Sequence, residues 1–392
     1  MSFEQRSRTF LDELHRSGSR RLLGGCGSVH SGEQQPLNFA GNDYRAMSGN
    51  PAVLAASRSS RMVGACASRL LAGNCQEHEQ VENAAADLMG FETGLLYGAG
   101  YLANIGLLAG VVERSDVIIA DKQIHASLVD GAMLSRARLR RFHHNDTTHA
   151  AQLLERERRA NPERTIWLVT ESVFSMDGDL APLEALATLA ERYVAHLIVD
   201  EAHALGVFGR YGCGRVSELG LGRRTFAATV TLSKSAGAYG GLVLTSPLVR
   251  EVLINRSRSL IFNTALPPGV AAAGAAALDL FRQDDSERVA LLRRAKWFRQ
   301  ALRARGFSLV QSESHIVPVI IGSSPATVEL ANRLALRGIL CAAIRPPTVA
   351  RGTERLRFSL TVAHSEADLE QVVLVLHEEA RALGIIDASS KP

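Results

Sequence analysis

Ala227-Ala228-Thr229-Val230-Thr231-Leu232-Ser233-Lys234-Ser235-Ala236-Gly237-Ala238 decides how the rest of the chain is read. Six small, β-branched or apolar residues run up to a polar pair, and small residues follow. A run this short, cut off so sharply, is a strand buried on both faces that opens onto a turn at its carboxyl end. Four more runs of the same kind cover residues 94–97, 117–120, 166–170 and 196–199. Each stops at a polar or glycine-rich turn and gives way to a helical pattern. That alternation predicts an α/β fold around a mostly parallel sheet. Ligands of such sheets bind beyond the carboxyl ends of the strands, so the turn residues are the candidates.

Lysine is scarce: Lys122, Lys234, Lys296 and Lys391 are the only four among 44 basic residues. Lys234 sits at a strand end among small neighbours, which leave room for a flat ring and help an amine lose its proton. The bland alternative is a surface lysine just past a strand. The run 196–199 ends in Asp200-Glu201-Ala202-His203, where a carboxylate at the end of a buried strand needs a partner such as a ligand cation. The letters D-E-A-H also occur in helicase ATPases, but no lysine here follows a glycine, so the phosphate loop that reading requires is missing. Run 166–170 leads to Glu171, Ser175, Asp177 and Asp179, and run 117–120 to Asp121 and His125. A lone histidine is more often structural than functional. After run 94–97, Gly98-Ala99-Gly100 opens a helix and offers bare amides to an anion such as phosphate. Gly98, Gly100 and Ala103, with Asp121 beyond, also match a dinucleotide fingerprint, a weak signal alone. Together the sets supply what pyridoxal phosphate needs: a lysine, an acid, donors and an amide-rich turn.

Composition narrows the class. Hydrophobic residues at 46% and charged residues at 21% describe a soluble globular protein, and 392 residues exceed one ordinary core. The net charge of +4 is an arginine excess. The cluster at residues 136–141 is read as a helix with a solvated arginine face, and no nucleic-acid partner is expected. Five scattered cysteines without C-x-x-C spacing signal neither disulfides nor zinc, and fit the reducing cytoplasm. Without an apolar leader or a spanning run, no membrane partner is expected.

The chain divides into an N-terminal arm (1–44), a large domain (45–283) and a small C-terminal α+β domain (284–392). In the last, Leu356, Phe358, Leu360 and Val362 alternate with Arg357, Ser359 and Thr361, predicting a half-buried strand whose polar face looks into a cleft. Ser365 and Asp368 then start a helix with Leu369, Val372, Val373 and Leu376 on one side.

These residues resemble the α-oxoamine synthases of the fold type I pyridoxal phosphate enzymes through nearly the whole chain. The motifs are Asn42-Asp43-Tyr44, Ala67-Ser68-Arg69-Leu70 with Gly73-Asn74, Ile124-His125-Ala126-Ser127-Leu128, residues 171–179, Asp200-Glu201-Ala202-His203 and Thr231-Leu232-Ser233-Lys234. Residues 140–146 and 344–349, continuing to Arg355-Leu356-Arg357, are most similar to the members that join L-alanine to a pimeloyl thioester in biotin synthesis, with loss of carbon dioxide. The acyl carrier would be coenzyme A or a carrier protein.

The resemblance implies roles. Lys234 would form the Schiff base, Asp200 would partner the ring nitrogen, His203 and Ser175 would approach the phenolate oxygen, and His125 would stack on the ring. Gly100, Tyr101 and Thr231 would hold the phosphate, helped by Thr264 from the neighbouring subunit of a homodimer with shared active sites. Arg20, His125, Thr348 and Arg357 would lie near substrate. The pattern is departed from at Arg45-Ala46-Met47, where leucine and glycine are common, at Cys66, where a second glycine is usual, and at residues 235–238. The rivals are an α-oxoamine synthase using glycine or another acyl chain, a nicotinamide dehydrogenase, and an inactive partner subunit of the same fold.

Overall fold

All five apolar runs become strands of one sheet in the computed structural model, which describes residues 1–16, 20 and 36–386. The sheet has seven strands: β1 (Thr93–Tyr97), β2 (Val117–Asp121), β3 (Arg138–Phe142), β4 (Ile166–Glu171), β5 (Ala195–Asp200), β6 (Ala227–Thr231) and β7 (Gly241–Thr245). Their spatial order is β1-β7-β6-β5-β4-β2-β3. The pairs from β6 to β3 are parallel, and β7 runs antiparallel between β1 and β6.

Strand alternation feeds two core layers. Leu95, Tyr97 and Val243 pack with the helices Gly100–Val111 and Ala126–Ser135, while Leu96, Leu242 and Leu244 pack against Gln76–Met89 and Pro268–Gln283 on the other face. Each such Leu or Val, fully buried, contributes about 1.5–3 kcal/mol relative to exposure. Two faces of apolar burial explain why the strands read as continuous runs.

The arginine cluster corrects the sequence reading. Arg136 ends the helix Ala126–Ser135 in the left-handed region (φ 62), and residues 138–142 are the edge strand β3. β3 is bonded only to β2, so its arginines can extend outward, Arg140 toward Glu157, while Phe142 turns into the core. Charge on an edge strand also discourages pairing with another chain.

The strands above belong to a unit made of Asp43–Ser175 and Leu180–Ala290. A second unit comprises Met1–Asn42, Met176–Asp179 and Leu291–Pro392, of which residues 17–19, 21–35 and 387–392 are outside the described part. Its sheet is antiparallel in the order β9-β10-β8, from β8 (Ile316–Ile320), β9 (Ala342–Ile344) and β10 (Arg355–Ser359). Leu37 and Asn38 add a two-residue parallel ladder to Ile339 and Leu340. The helix Glu366–Ala382 starts at the expected capping box, with Leu369, Val372, Val373 and Leu376 buried. The helix Phe3–Arg16 buries nothing.

The polar face of β10 does not look into solvent. Arg355 and Arg357 are 6% and 4% exposed, because β10 is the central strand of its sheet. Arg355 is paired with Asp177, and Arg357 donates to Ser359 Oγ at 2.6 Å and to Asn42 Oδ1 at 3.3 Å. Partners contributed by residues 42 and 177, far away in sequence, make that burial tolerable. Among the described residues no helix is long and apolar enough to cross a membrane.

Candidate active site

Seven of the candidate residues, Gly100, Tyr101, His125, Asp200, His203, Thr231 and Lys234, line one cavity of about 200 Å³ at the carboxyl ends of the strands. Ser175 is half-buried four residues beyond β4, and Thr264 is exposed ahead of the helix Pro268–Gln283; neither lines it. Arg20 and Thr348 are exposed and Arg357 buried, all three in the second unit.

Asp200, the last residue of β5, is held on both oxygens. Ala202 N–H donates to Oδ1 at 2.9 Å and Asn104 Nδ2 to Oδ2 at 2.8 Å. Asn104 is itself fixed, since Thr229 Oγ1 donates to its Oδ1 at 2.7 Å and its amide reaches Ser127 Oγ at 2.9 Å. Ser127 Oγ in turn lies 2.7 Å from His125 Nδ1. Burial, outweighing the Asp200 charge, holds the His125 ring below the usual histidine range, so it is neutral at pH 7. Glu171 stands opposite Asp200 in the β4–β5 register. Burial first, and the Asp200 charge second, push its carboxyl well above the usual range. Asp200 is thus the acid with aimed, paired oxygens at the cavity.

Lys234 Nζ lies 2.8 Å from His203 Nε2, and His203 Nδ1 lies 2.8 Å from the Tyr44 hydroxyl. The loop after Lys234 closes at once, Gly237 N–H donating to Lys234 O at 2.8 Å with φ 59 at Gly237. Tyr44 is completely buried. Its turn is built by Asp43, whose carboxylate accepts Met47 N–H at 2.8 Å and Ser48 N–H at 2.9 Å. Ala46 (φ 51) and Cys66 (φ 59) keep a left-handed backbone of the kind that glycine adopts without steric cost.

At the anion end, the helix Gly100–Val111 begins without a side-chain cap, which leaves its first amides for an outside acceptor. The backbone is packed too tightly for side chains: a Cβ on Gly100 would meet Thr231 Cβ at 3.0 Å, and one on Gly241 would meet Gly100 Cα at 2.4 Å. The dinucleotide reading loses its acid here. Asp121 is wholly buried and already accepts from Gln123 N–H and Asn145 N–H, with His144 Nδ1 at 3.0 Å.

Sequence reasoning did not single out Asn104 or Thr229, and it gave Tyr44 no role. The available signal for Asn104 was a lone amide in the middle of an apolar helix.

The family model "Aminotransferase class I and II" matches residues 34–376. The 8-amino-7-oxononanoate synthase of Methylobacillus flagellatus is 41% identical over 369 residues, 92% of either chain. The chain belongs to this family. It is a fold type I, pyridoxal phosphate-dependent acyltransferase, an α-oxoamine synthase of biotin biosynthesis. Among solved structures, Sphingomonas wittichii serine palmitoyltransferase superposes with a TM-score of 0.92 at 28% identity, covering 99% of this chain and all of that one. A serine palmitoyltransferase structure with a PLP internal aldimine gives 0.91 at 28%, covering 98% of this chain and 100% of that one. The cavity suits that cofactor in its donor set: an amine, an aimed carboxylate, a neutral imidazole and uncapped helix amides on a floor without side chains.

Proposed function

We propose that this chain condenses L-alanine with a pimeloyl thioester, on coenzyme A or a carrier protein, to 8-amino-7-oxononanoate, carbon dioxide and the free thiol. The observation that carries the reading is the 41% identity to a synthase of that name along nearly the full length of both chains.

Each residue has a task. Lys234 Nζ would hold the aldehyde carbon of the cofactor, and Asp200 would keep a proton on the ring nitrogen. Asn104 and the Ala202 amide aim that carboxylate. Burial, with the Asp200 charge beside it, pushes the Glu171 carboxyl well above its usual range. His203 and Ser175 would meet the phenolate oxygen, and His125, tied to Ser127 and shifted by burial toward its neutral form, would cover the ring face. Gly100, Tyr101 and Thr231 take the phosphate, with Thr264 of the partner subunit, in a homodimer with shared sites. When bound, pyridoxal phosphate supplies an electron sink for the pair left on an amino-acid Cα. Once the alanine amine has displaced it from the cofactor, Lys234 Nζ would be the base that takes the alanine Cα proton and returns one to the product. Arg20, His125, Thr348 and Arg357 orient alanine and the acyl chain.

Arg45-Ala46-Met47 and Cys66, where the usual glycines are replaced, favour keeping a second reading: an α-oxoamine synthase taking glycine or another acyl chain. Purified holoenzyme given L-alanine or glycine with pimeloyl-coenzyme A, pimeloyl carrier protein or longer acyl thioesters distinguishes the two by mass spectrometry of the product. Borohydride should fix the cofactor on Lys234; a product from glycine alone, or a label elsewhere, overturns the proposal.

A further inference from the structure

We infer that Tyr44 is a positioning residue for Lys234: its hydroxyl donates to His203 Nδ1, fixing the imidazole as the Nε2–H tautomer, whose proton points at Nζ and keeps that amine neutral. This rests on the reading of Lys234 as the amine that holds the cofactor.

The geometry supplies an unbroken chain, Tyr44 hydroxyl to Nδ1 at 2.8 Å and Nε2 to Nζ at 2.8 Å. Tyr44 is 0% and His203 5% exposed, so water competes little for these bonds. A neutral imidazole has one donor and one acceptor nitrogen, and the bond at one end decides what the other end offers. The phenol oxygen shares its lone pair with its ring, so toward an imine-type nitrogen it acts as the donor. Nε2 then carries the hydrogen and needs an acceptor. A neutral amine has a lone pair for it; an ammonium has none. The opposite tautomer would turn a lone pair toward Nζ and favour the ammonium.

Among the described residues that line the cavity with Lys234 and His203, the ionisable groups are Asp200 at the end of β5, Glu171 at the end of β4, His125 ahead of its helix and Tyr101. Asp200 draws a proton toward the amine. Burial shifts Glu171 up and His125 down, each toward its neutral form, and the imidazole donor opposes Asp200.

The turn carrying Tyr44 is gripped from two sides. Arg45, 4% exposed, donates to Gly206 O at 3.3 Å, three residues beyond His203, and to Asp284 O at 3.0 Å, with its guanidinium 5.0 Å from the Phe281 ring centre. On the other side the loop of Lys234 comes so close that a Cβ on Gly237 would lie 2.1 Å from Ser48 N. The turn of residues 43–48 therefore touches both the His203 turn and the Lys234 loop.

The test uses full-length protein stripped of pyridoxal phosphate, in which Nζ carries no cofactor. Competitive acetylation with acetic anhydride across pH, read by peptide mass spectrometry, reports Lys234 against Lys122, Lys296 and Lys391. In Tyr44→Phe the Lys234 labelling profile should move up by about one pH unit, so that labelling below the midpoint slows about 10-fold, the worth of one ordinary hydrogen bond. The three reference lysines should stay in place. An unmoved or downward profile overturns the inference. Should the variant not fold, nitrogen NMR of ¹⁵N-histidine wild-type protein, with His203 assigned through His203→Gln, decides: a bare Nδ1 and protonated Nε2 are expected, and a protonated Nδ1 overturns it. Protein that shows the expected tautomer and shift yet makes no 8-amino-7-oxononanoate would sink the substrate reading alone.

Discussion

In the large unit Glu171 and Asp200 are the last residues of β4 and β5, whereas in the small unit Arg355 and Arg357 sit in the central strand β10 with a neighbour on each side. A charge at a strand end can turn one flank to a cavity and keep capacity for a ligand. A charge inside a sheet is held first by protein groups, Arg355 by Asp177 and Arg357 by Asn42 and Ser359. Polar residues of the first kind are open to chemistry, and Arg355, of the second, holds the structure together.

The sharpest way to break that contrast is to remove one member of each kind. Lys234→Ala should lower product formation by about 10³-fold or more, the scale of a lost proton-transfer group, with an unchanged thermal unfolding midpoint. Asp177→Ala should do the reverse at its own site, costing about 3 kcal/mol in urea unfolding because the Arg355 guanidinium, with 7% of its side chain exposed, is left unpaired. If Lys234→Ala destabilised the fold as much as Asp177→Ala does, the distinction would fail.

That distinction was half visible beforehand. Runs of β-branched and aliphatic residues betray strands buried on both faces, and whatever stops such a run is placed at a strand end; Asp200, His203 and Lys234 were legible for that reason. β7 escaped because Gly241–Thr245 follows the loop after Lys234 with no helix between, breaking the expected rhythm. β3 escaped because arginine spacing on an edge strand and on a helix look alike over five residues. For β10 the alternation of Leu356 and Phe358 with Arg357 and Ser359 was read correctly as a strand, but alternation cannot reveal that Asp177 and Asn42 arrive to cover the polar side. Asn104 and Tyr44 act through bonds to residues 96 and 159 positions away, which no local pattern carries.

Acidity offers a subtler comparison. Burial pushes Glu201 in the large unit up to about 7, against the pull of the Val216 and Arg215 amides. The folded state then binds more protons than the unfolded one between about pH 4.5 and 7, so this contribution falls as pH rises through that window. In the small unit burial lowers His364, which stacks on Phe39, to about 4. Its contribution is complete above about pH 6.5 and is lost as pH falls toward 4. Amide hydrogen exchange followed from pH 4 to 8 should show the large unit loosening toward neutrality and the small unit toward acid, with Glu201→Gln flattening only the former; parallel profiles would refute the assignment.

The smallest effect concerns the turn of Tyr44. Ala46→Gly relieves a left-handed alanine, worth about 1–2 kcal/mol, but restores unfolded-state freedom of about 0.4–1 kcal/mol. A net stabilisation of about 0.5–1 kcal/mol is expected in urea titration, with kinetics unaltered. A loss of stability would mean that the Ala46 methyl makes contacts that outweigh its backbone.

The ladder between Leu37–Asn38 and Ile339–Leu340 sets an order of assembly during synthesis. A ribosome adding ~5–20 residues per second makes the second strand roughly 15–60 s after the first. Every strand of the seven-stranded sheet is complete in the meantime, so the large unit can form while residues 37 and 38 wait for their partner. A nascent chain halted before residue 339 would carry the cavity at the strand ends and an N-terminal segment whose ladder cannot yet close.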